Sequence, residues 1–178
     1  SPSHGIVWRK EPGRIIGLYA KYASFAEGGR DKEVCVIWGT MYGNTRKGLE
    51  AALEGLEAEG IPYVEHRVPN EDVSYALADA FRCEGVLIAM PTYEYKMFPP
   101  MAYALDILER KHVFGRTALR IGSWGWVGGA KKEYDECAAA LKWNCLESLE
   151  WAGAPDEAAL AALREKGREL ARAVKAAK

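Results

Sequence analysis

The sequence lacks an excess of charge of either sign. Its 178 residues include 24 basic and 25 acidic side chains, and the formal net charge at pH 7 is −1. A protein that binds nucleic acid or an anionic membrane through phosphate groups usually carries a surplus of lysine and arginine. The charge balance gives no electrostatic support for either partner, and we expect no binding to nucleic acid or membrane.

Long apolar runs, a secretory signal and paired cysteines are also lacking. The longest apolar runs are far shorter than the about 20 residues needed to span a bilayer, and the first residues show no charged-then-apolar pattern. The four cysteines have no C-x-x-C spacing; they are Cys35, Cys83, Cys137 and Cys145. Three of them lie in apolar segments, so we expect buried free thiols in a cytoplasmic protein rather than disulfides or a metal site.

The chain is organised around a buried strand, a polar loop and a helix start over residues 34–47. Residues 34–38 form a continuous apolar run, which is typical of a parallel strand covered on both faces. The loop between Thr40 and Thr45 offers two hydroxyls, one glycine and one asparagine. From Leu49 onward the apolar residues recur at helical spacing. The free N–H groups and the dipole of such a helix start attract an anion, most often a phosphate.

This loop differs from the two common nucleotide-binding loops. It lacks the Gly-Lys-Ser/Thr ending of a P-loop, and Gly39 and Gly43 do not make G-x-G-x-x-G. Hydroxyl and N–H groups would therefore hold the phosphate without an obligatory lysine, as in mononucleotide sites of the flavodoxin type. For the loop taken alone, an ordinary strand-to-helix turn is the alternative.

Strands and helices alternate along the rest of the chain. Apolar patterns predict further strands at residues 61–68, 85–90, 117–123 and, at an edge, 143–151, with helices between them and a closing helix over 156–177. A separate helix is predicted from Pro12 to Ala26. The alternation predicts an α/β fold with a five-stranded parallel sheet of order 2-1-3-4-5 and helices on both faces. In that order the ligand crevice lies at the carboxyl ends of the strands, so binding residues should follow strands one, three and four.

The loops after strands three and four are rich in aromatic residues. Residues 91–100 and 123–129 supply Tyr93, Tyr95, Trp124 and Trp126, and the second loop is also rich in glycine. Glycine lets the backbone approach a flat ligand, and aromatic faces can stack on it. A phosphate loop and two aromatic loops at one sheet edge favour a mononucleotide with a large ring, with FMN as the leading case. For each aromatic residue taken alone, a packing role is the alternative.

Three motifs resemble the flavodoxin-like domain of the flavodiiron (A-type) flavoproteins. They are Met-Tyr-Gly-Asn-Thr at 41–45, Pro-Thr-Tyr at 91–93 followed by Phe-Pro-Pro at 98–100, and Ser-Trp-Gly-Trp at 123–126 with Gly-Gly-Ala at 128–130. Residues 2–8 resemble the last stretch of that family's metallo-β-lactamase-like diiron domain. The resemblance implies a flavodoxin-like three-layer sandwich over residues 31–178 that binds FMN. Residues 1–30 would then be the end of the upstream domain plus a linker helix.

The resemblance also implies a role in electron transfer within a longer protein. In the full family protein, FMN passes electrons to a diiron centre that reduces O2 or NO, and a rubredoxin-like or other protein donates them. Family members pair head to tail, so a homodimer or higher assembly is expected. His4 resembles a metal ligand of the upstream domain, but the rest of that ligand set is missing. We therefore expect neither a metal site nor a catalytic side chain in this chain, which should be the C-terminal part of a longer protein.

Carried over by position, the resemblance implies that three loops bind the FMN. The expected residues are Thr40, Met41, Tyr42, Gly43, Asn44 and Thr45 at the phosphate, and Pro91, Thr92, Tyr93, Glu94, Ser123, Trp124, Gly125, Trp126, Gly128 and Gly129 around the ring. Gly39, Glu94 and Val127 depart from the family pattern, which has an acidic residue, asparagine and a small polar residue there. A carboxylate at Glu94 near the flavin would lower its potential; a solvated loop glutamate is the alternative.

Other functions share the same fold. A stand-alone flavodoxin-like carrier or an NAD(P)H:quinone reductase is the near alternative, although free flavodoxins tend to be strongly acidic and this chain is almost neutral. A phospho-receiver domain needs an acidic cluster after strand one, where Trp38 and Gly39 stand, and a lysine after strand five. A module that binds no ligand is the remaining alternative.

Overall fold

A computed structural model of the chain describes residues 4–177. The start of the stretch expected to end an upstream domain, residues 1–3, lies outside the described residues. The chain divides into two units, one ending at Arg30 and one beginning at Asp31. None of the described helices is long and apolar enough to cross a membrane.

The first unit is built on the predicted N-terminal helix, α1, which runs over Pro12–Ala26. Proline suits the first turn because its fixed φ matches the helix and the N–H group it lacks would be unpaired there. The guanidinium carbon of Arg14 lies 5.6 Å from the centroid of the Trp8 ring. Phe25 is the buried residue of the helix.

The second unit alternates strands and helices as the sequence predicts. Its elements in chain order are β1 Asp31–Trp38, α2 Asn44–Ala58, β2 Tyr63–Arg67, α3 Val73–Arg82, β3 Cys83–Ala89, β4 Thr92–Tyr93, β5 Lys96–Met97, α4 Pro99–Arg110, β6 Thr117–Trp124, α5 Ala130–Ala140, β7 Asn144–Cys145, β8 Leu149–Ala152 and α6 Glu157–Ala176. The main sheet has the order β2-β1-β3-β6-β7, and β8 also pairs with β6. All of its pairings are parallel. The flavodoxin-like order 2-1-3-4-5 is confirmed, with β7 and β8 together in the fifth place.

The prediction of one continuous fifth strand over residues 143–151 is wrong. Cys145 pairs with Ala118 in β6, and Leu149 pairs with Ile121. Four steps along the edge chain therefore match three steps along β6, so the edge chain carries one extra residue. An extra residue in one strand is a β-bulge, which interrupts the ladder. The fifth strand is split into β7 and β8 for this reason.

Alternating strand residues divide the core into two apolar layers. Cys35 and Ile37 of β1 pack in the layer formed with α3, α4 and α5. Val34 and Val36 pack in the layer formed with α2 and α6. Successive side chains of a strand point to opposite faces, so a fully apolar strand is what a sheet covered on both sides requires.

The cysteines are all free thiols, as expected, but not all of the expected ones are buried. Cys35 and Cys83 are buried, Cys137 is half-buried and Cys145 is exposed. Burial raises the pKa of Cys83 to about 12 and holds the pKa of Cys35 well above its ordinary value. Since the thiolate is the reactive form, both buried thiols are inert at neutral pH.

Two glycines allow α2 and α6 to pack with their backbones in contact. A Cβ atom on Gly167 of α6 would overlap the carbonyl oxygen of Ala52 in α2, and one on Gly55 would overlap the carbonyl oxygen of Arg164. The two helices therefore meet at a distance that excludes any side chain at these positions.

We predict that Gly167→Ala lowers the free energy of unfolding by about 2 kcal/mol, because the helices must separate to admit the methyl group. Alanine favours a helix over glycine by about 1 kcal/mol, so the sign itself tests the close contact. Gly17→Ala in α1 is the control, since a Cβ there meets nothing within 4 Å. Urea unfolding of both variants measures the effect, and a Gly167→Ala protein as stable as the parent would contradict it.

Candidate functional site

The loops after β1, β3 and β6 meet around one cleft at the carboxyl end of the sheet. The cleft has a volume of about 410 Å³. The expected residues that line it are Thr40, Met41, Tyr42, Asn44, Thr45, Pro91, Thr92, Tyr93, Glu94, Ser123, Trp124, Gly125 and Trp126. The topological rule that parallel strands place their following loops at one edge accounts for this convergence.

Three expected residues do not line the cleft, although they shape its loops. Gly43 caps α2 with a φ of 87°, and its N–H group donates to Oγ1 of Thr40 at 3.0 Å. A Cβ atom on Gly129 would overlap the carbonyl oxygen of Tyr95, so this glycine lets the second and third loops touch. Gly128 lies in the adjoining groove along α5.

Three further residues line the cleft and are missing from the expected set: Tyr95, Val127 and Gly153. Tyr95 and Val127 lie inside the loops that the sequence pointed to. Gly153 follows β8, has a φ of 58°, and donates its N–H to the carbonyl oxygen of Trp124 at 2.7 Å. The sequence signal for Gly153 was its position directly after the fifth strand, because that strand also ends at the edge of the sheet where the cleft lies.

The end of the cleft beside α2 is lined by hydrogen-bond donors of the kind that suit an anion. No side chain caps α2, so the first N–H groups of the helix have no side-chain acceptor at Gly43. The hydroxyl oxygens of Thr45 and Ser123 are buried and lie 2.9 Å apart. No lysine or arginine is among the lining residues. Hydroxyl and N–H groups are therefore the donors that this end of the cleft offers to a phosphate.

The second loop contains a short hairpin that the sequence did not predict. Thr92 pairs with Met97 and Tyr93 with Lys96, which leaves Glu94 and Tyr95 as a two-residue turn. Both turn residues have positive φ, 45° and 66°. Positive φ at both central residues is the pattern of a type I′ turn, which favours Asn-Gly. Because Glu-Tyr is not a typical pair for this turn, the sequence does not indicate it. The positive φ at position 94 explains why asparagine suits that position.

Aromatic side chains form the outer rim of the cleft. Trp126 is 96% exposed and Tyr42 is 88% exposed, whereas Trp124 is half-buried. Tyr93 and Tyr95 are exposed on the hairpin. Large exposed aromatic rings cost free energy unless they meet another surface or a ligand. The rim offers flat apolar faces next to the end of the cleft beside α2.

Gly39 is required by packing between the first and second loops. Its N–H group donates to the carbonyl oxygen of Ala89 at 2.9 Å. A Cβ atom there would lie 2.7 Å from the ring of Phe98 and 3.1 Å from the carbonyl oxygen of Val68. An acidic side chain does not fit at this position while Phe98 holds its place, which gives a physical reason for this departure from the family pattern.

Residues 4–177 contain no group of three or more histidine, cysteine and acidic side chains arranged to hold a metal ion.

Sequence comparison finds relatives among nitric oxide reductases. Over 172 residues the chain is 31% identical to the anaerobic nitric oxide reductase flavorubredoxin of Pectobacterium atrosepticum, a match that covers 96% of this chain and 33% of the relative. Over 142 residues it is 33% identical to the nitric oxide reductase of Moorella thermoacetica, covering 80% of this chain and 35% of the relative. The chain thus spans about a third of the length of the curated relatives it matches. No family model matches the chain.

Structural comparison finds the same group of proteins. The flavodiiron protein of Giardia intestinalis superposes with a TM-score of 0.87 at 24% identity, covering 98% of this chain and 43% of that one. A mutant of the flavo di-iron protein of Thermotoga maritima superposes with a TM-score of 0.79 at 25% identity, covering 97% of this chain and 43% of that one. The chain is similar to one part of these flavodiiron proteins over nearly its whole length.

The chain corresponds to the flavodoxin-like part of these proteins. A flavodoxin from the domain Archaea superposes with a TM-score of 0.73 at 23% identity, and the match covers 80% of this chain and 99% of the flavodoxin. The resemblance read from the three motifs is thereby confirmed, and so is the flavodoxin-like fold.

We predict that Glu94→Asn raises the free energy of unfolding by about 1 kcal/mol, because asparagine adopts the left-handed conformation at lower cost than glutamate. Glu94→Gln is the control, since it removes the charge and keeps an unfavourable side chain in the turn. Thermal and urea unfolding measure the difference. Equal stability of the two variants would mean that the turn is not strained at this residue.

Proposed function

We propose that this chain is the FMN-binding electron-transfer domain of a flavodiiron oxidoreductase. In this proposal it accepts electrons from a rubredoxin-like or other donor protein and passes them to a diiron centre that reduces O2 or NO. The observation that carries the proposal is the convergence of three loops around one cleft with an anion-binding end and an aromatic rim. The similarity to flavorubredoxins and flavodiiron proteins supports it.

The residues of the cleft fit FMN in size and chemistry. The volume of about 410 Å³ lies in the range of ligand pockets for small molecules. Thr40, Asn44 and Thr45, with the start of α2, would hold the phosphate through hydroxyl, amide and N–H donors. Tyr93 and Trp124 would flank the ring. FMN supplies electron-transfer chemistry when bound, and the protein supplies binding, orientation and electrostatics.

The exposed rim would leave one edge of the ring open. Tyr42 and Trp126 stand at the mouth of the cleft and are almost fully exposed. Electrons could then enter and leave through this edge without any side chain acting as acid, base or nucleophile. We propose that the open edge faces the redox partners.

The names of the relatives support the proposed acceptor and partners. The curated relatives are a flavorubredoxin and a nitric oxide reductase, which supports NO as acceptor and a rubredoxin-like donor. We propose that a metallo-β-lactamase-like diiron domain belongs to the full-length protein and that the assembly is a homodimer or higher. Residues 1–30 would then be the end of that domain and its linker, and free thiols support a cytoplasmic location.

A stand-alone flavodoxin-like carrier is the second candidate. The superposition with an archaeal flavodoxin over nearly its whole length favours it. Adding a diiron domain to the reduced protein distinguishes the two candidates. Electron delivery to that domain favours the domain of a flavodiiron oxidoreductase, and its absence favours a soluble carrier.

The first test is the visible spectrum of the purified protein before and after FMN is added and the excess is removed. We expect a yellow protein that retains one FMN per chain. Thr45→Val should weaken FMN binding about tenfold, because one hydroxyl hydrogen bond to a charged group is lost. Riboflavin, which lacks the phosphate, should bind both proteins equally.

Thr117→Val serves as the matched control for Thr45→Val. Its hydroxyl bonds to Glu84 at 3.1 Å near the opposite end of the sheet, so FMN affinity should not change. A colourless protein that also fails to retain added FMN would contradict the proposal.

We predict that Glu94→Gln raises the midpoint potential of bound FMN. Glu94 is the charged side chain in the cleft lining, and a nearby carboxylate disfavours the more negative reduced flavin. Redox titration of the variant and the parent measures the shift. An unchanged midpoint potential would mean that Glu94 does not act on the flavin and is a solvated loop residue.

A further inference from the structure

An ion pair with one buried and one half-buried partner lies toward the carboxyl end of the sheet. Arg120 of β6 is completely buried, and its Nη1 lies 2.8 Å from Oε1 of Glu150 in β8. Glu150 pairs with Gly122 across the two strands, two residues closer to the cleft than Arg120. The side chain of Arg120 therefore extends along β6 toward the cleft.

The guanidinium group lies where two loops of the cleft begin. A Cβ atom on Gly122 would lie 2.9 Å from Nη2 of Arg120 and would overlap the carbonyl oxygen of Met90. Met90 directly precedes the second loop, and Gly122 directly precedes Ser123 of the third loop. The absence of a side chain at Gly122 makes room for the positive charge at this point.

The carboxylate group extends the pair to the third loop. Oε2 of Glu150 and the ring of Trp124 both lie 3.8 Å from the position of a Cβ atom on Gly128. Among the described residues, none of the three guanidinium nitrogens of Arg120 has a hydrogen-bond partner of good geometry. Glu150 is therefore the acidic side chain that lies close enough to balance the positive charge of Arg120.

The pair matters because the cleft itself has few charges. Its lining contains Glu94 and no basic side chain. A charge in the protein interior acts over a longer distance than an exposed one, because water and salt screen it less. The guanidinium favours negative charge in the cleft above it, and the carboxylate of Glu150 opposes this effect.

We infer that the Arg120–Glu150 pair is a positioning and electrostatic element of the cofactor site that sets the relative affinity for oxidised and reduced FMN. This inference rests on the proposed function. The reduced flavin carries more negative charge than the oxidised one, so its affinity responds to the balance between the two side chains. The pair does not itself line the cleft, and Glu150 lines the adjoining groove along α5.

Two single variants should shift the midpoint potential in opposite directions. Glu150→Gln leaves the guanidinium charge unbalanced and should raise the potential, whereas Arg120→Met leaves the carboxylate unbalanced and should lower it. A change of one charge beside the loops should change the ratio of reduced to oxidised affinity about three- to tenfold in each case. The double variant should lie near the parent. Redox titration with FMN bound measures all four proteins, and unfolding without FMN reports their stability.

Glu84→Gln is the matched control. Glu84 is a buried carboxylate that accepts a hydrogen bond from Thr117, but it lies at the amino end of β3, away from the cleft. Its replacement should change stability and leave the potential unchanged. If the two substitutions only disturb the structure, FMN binding weakens in both Arg120→Met and Glu150→Gln, and their midpoint potentials do not shift in opposite directions.

Retained FMN with unchanged potentials, or shifts of the same sign, would overturn the inference. If Arg120→Met does not fold, the comparison of Glu150→Gln with Glu84→Gln decides alone, and a potential that does not rise in Glu150→Gln overturns it. If the parent protein binds no FMN, the proposed function fails and this inference fails with it.

Discussion

Parallel pairing between β1, β3 and β6 is the constraint on which the site depends. Hydrogen bonds between these strands continue past their ends: Gly39 donates to the carbonyl oxygen of Ala89, and Met90 donates to that of Ile121 at 3.1 Å. The three loops therefore leave the sheet side by side. The first and third loops have little regular structure, and the second contains only the short hairpin of β4 and β5. The position of each loop therefore follows mainly from the strand that precedes it. The cleft is a consequence of the sheet rather than of contacts made by its own side chains.

Close backbone contact is the second requirement, and glycine meets it at several points. Gly39 makes room for Phe98, Gly129 for the carbonyl group of Tyr95, and Gly122 for the guanidinium of Arg120. None of these three glycines adopts the left-handed backbone conformation that favours glycine, so space rather than conformation selects them. The glycines let the loops approach each other closely enough to form one continuous lining. Substitution at any of them would separate elements that the cleft requires to be adjacent.

Much of the fold and of the cleft lining could be predicted from the sequence. Continuous apolar runs such as residues 34–38 identified the central strands, and the rule on parallel strands identified the loops that line the cleft. The hairpin at Glu94 and Tyr95 could not be predicted, because these residues are unfavourable in the turn they form. The bulge between β7 and β8 depends on pairing with β6, which the alternation of side chains does not encode. The pair of Arg120 and Glu150 joins residues 30 positions apart and shows only in the folded chain.

The proposed function requires that the three loops bind one ligand together. Hydrogen–deuterium exchange with and without FMN tests it most directly. We predict slower exchange in residues 39–45, 91–98 and 123–129 at the same FMN concentration. Exchange in residues 68–73, which follow β2, should be unchanged. Protection of one loop alone, or of none, would contradict the claim that they form a single site.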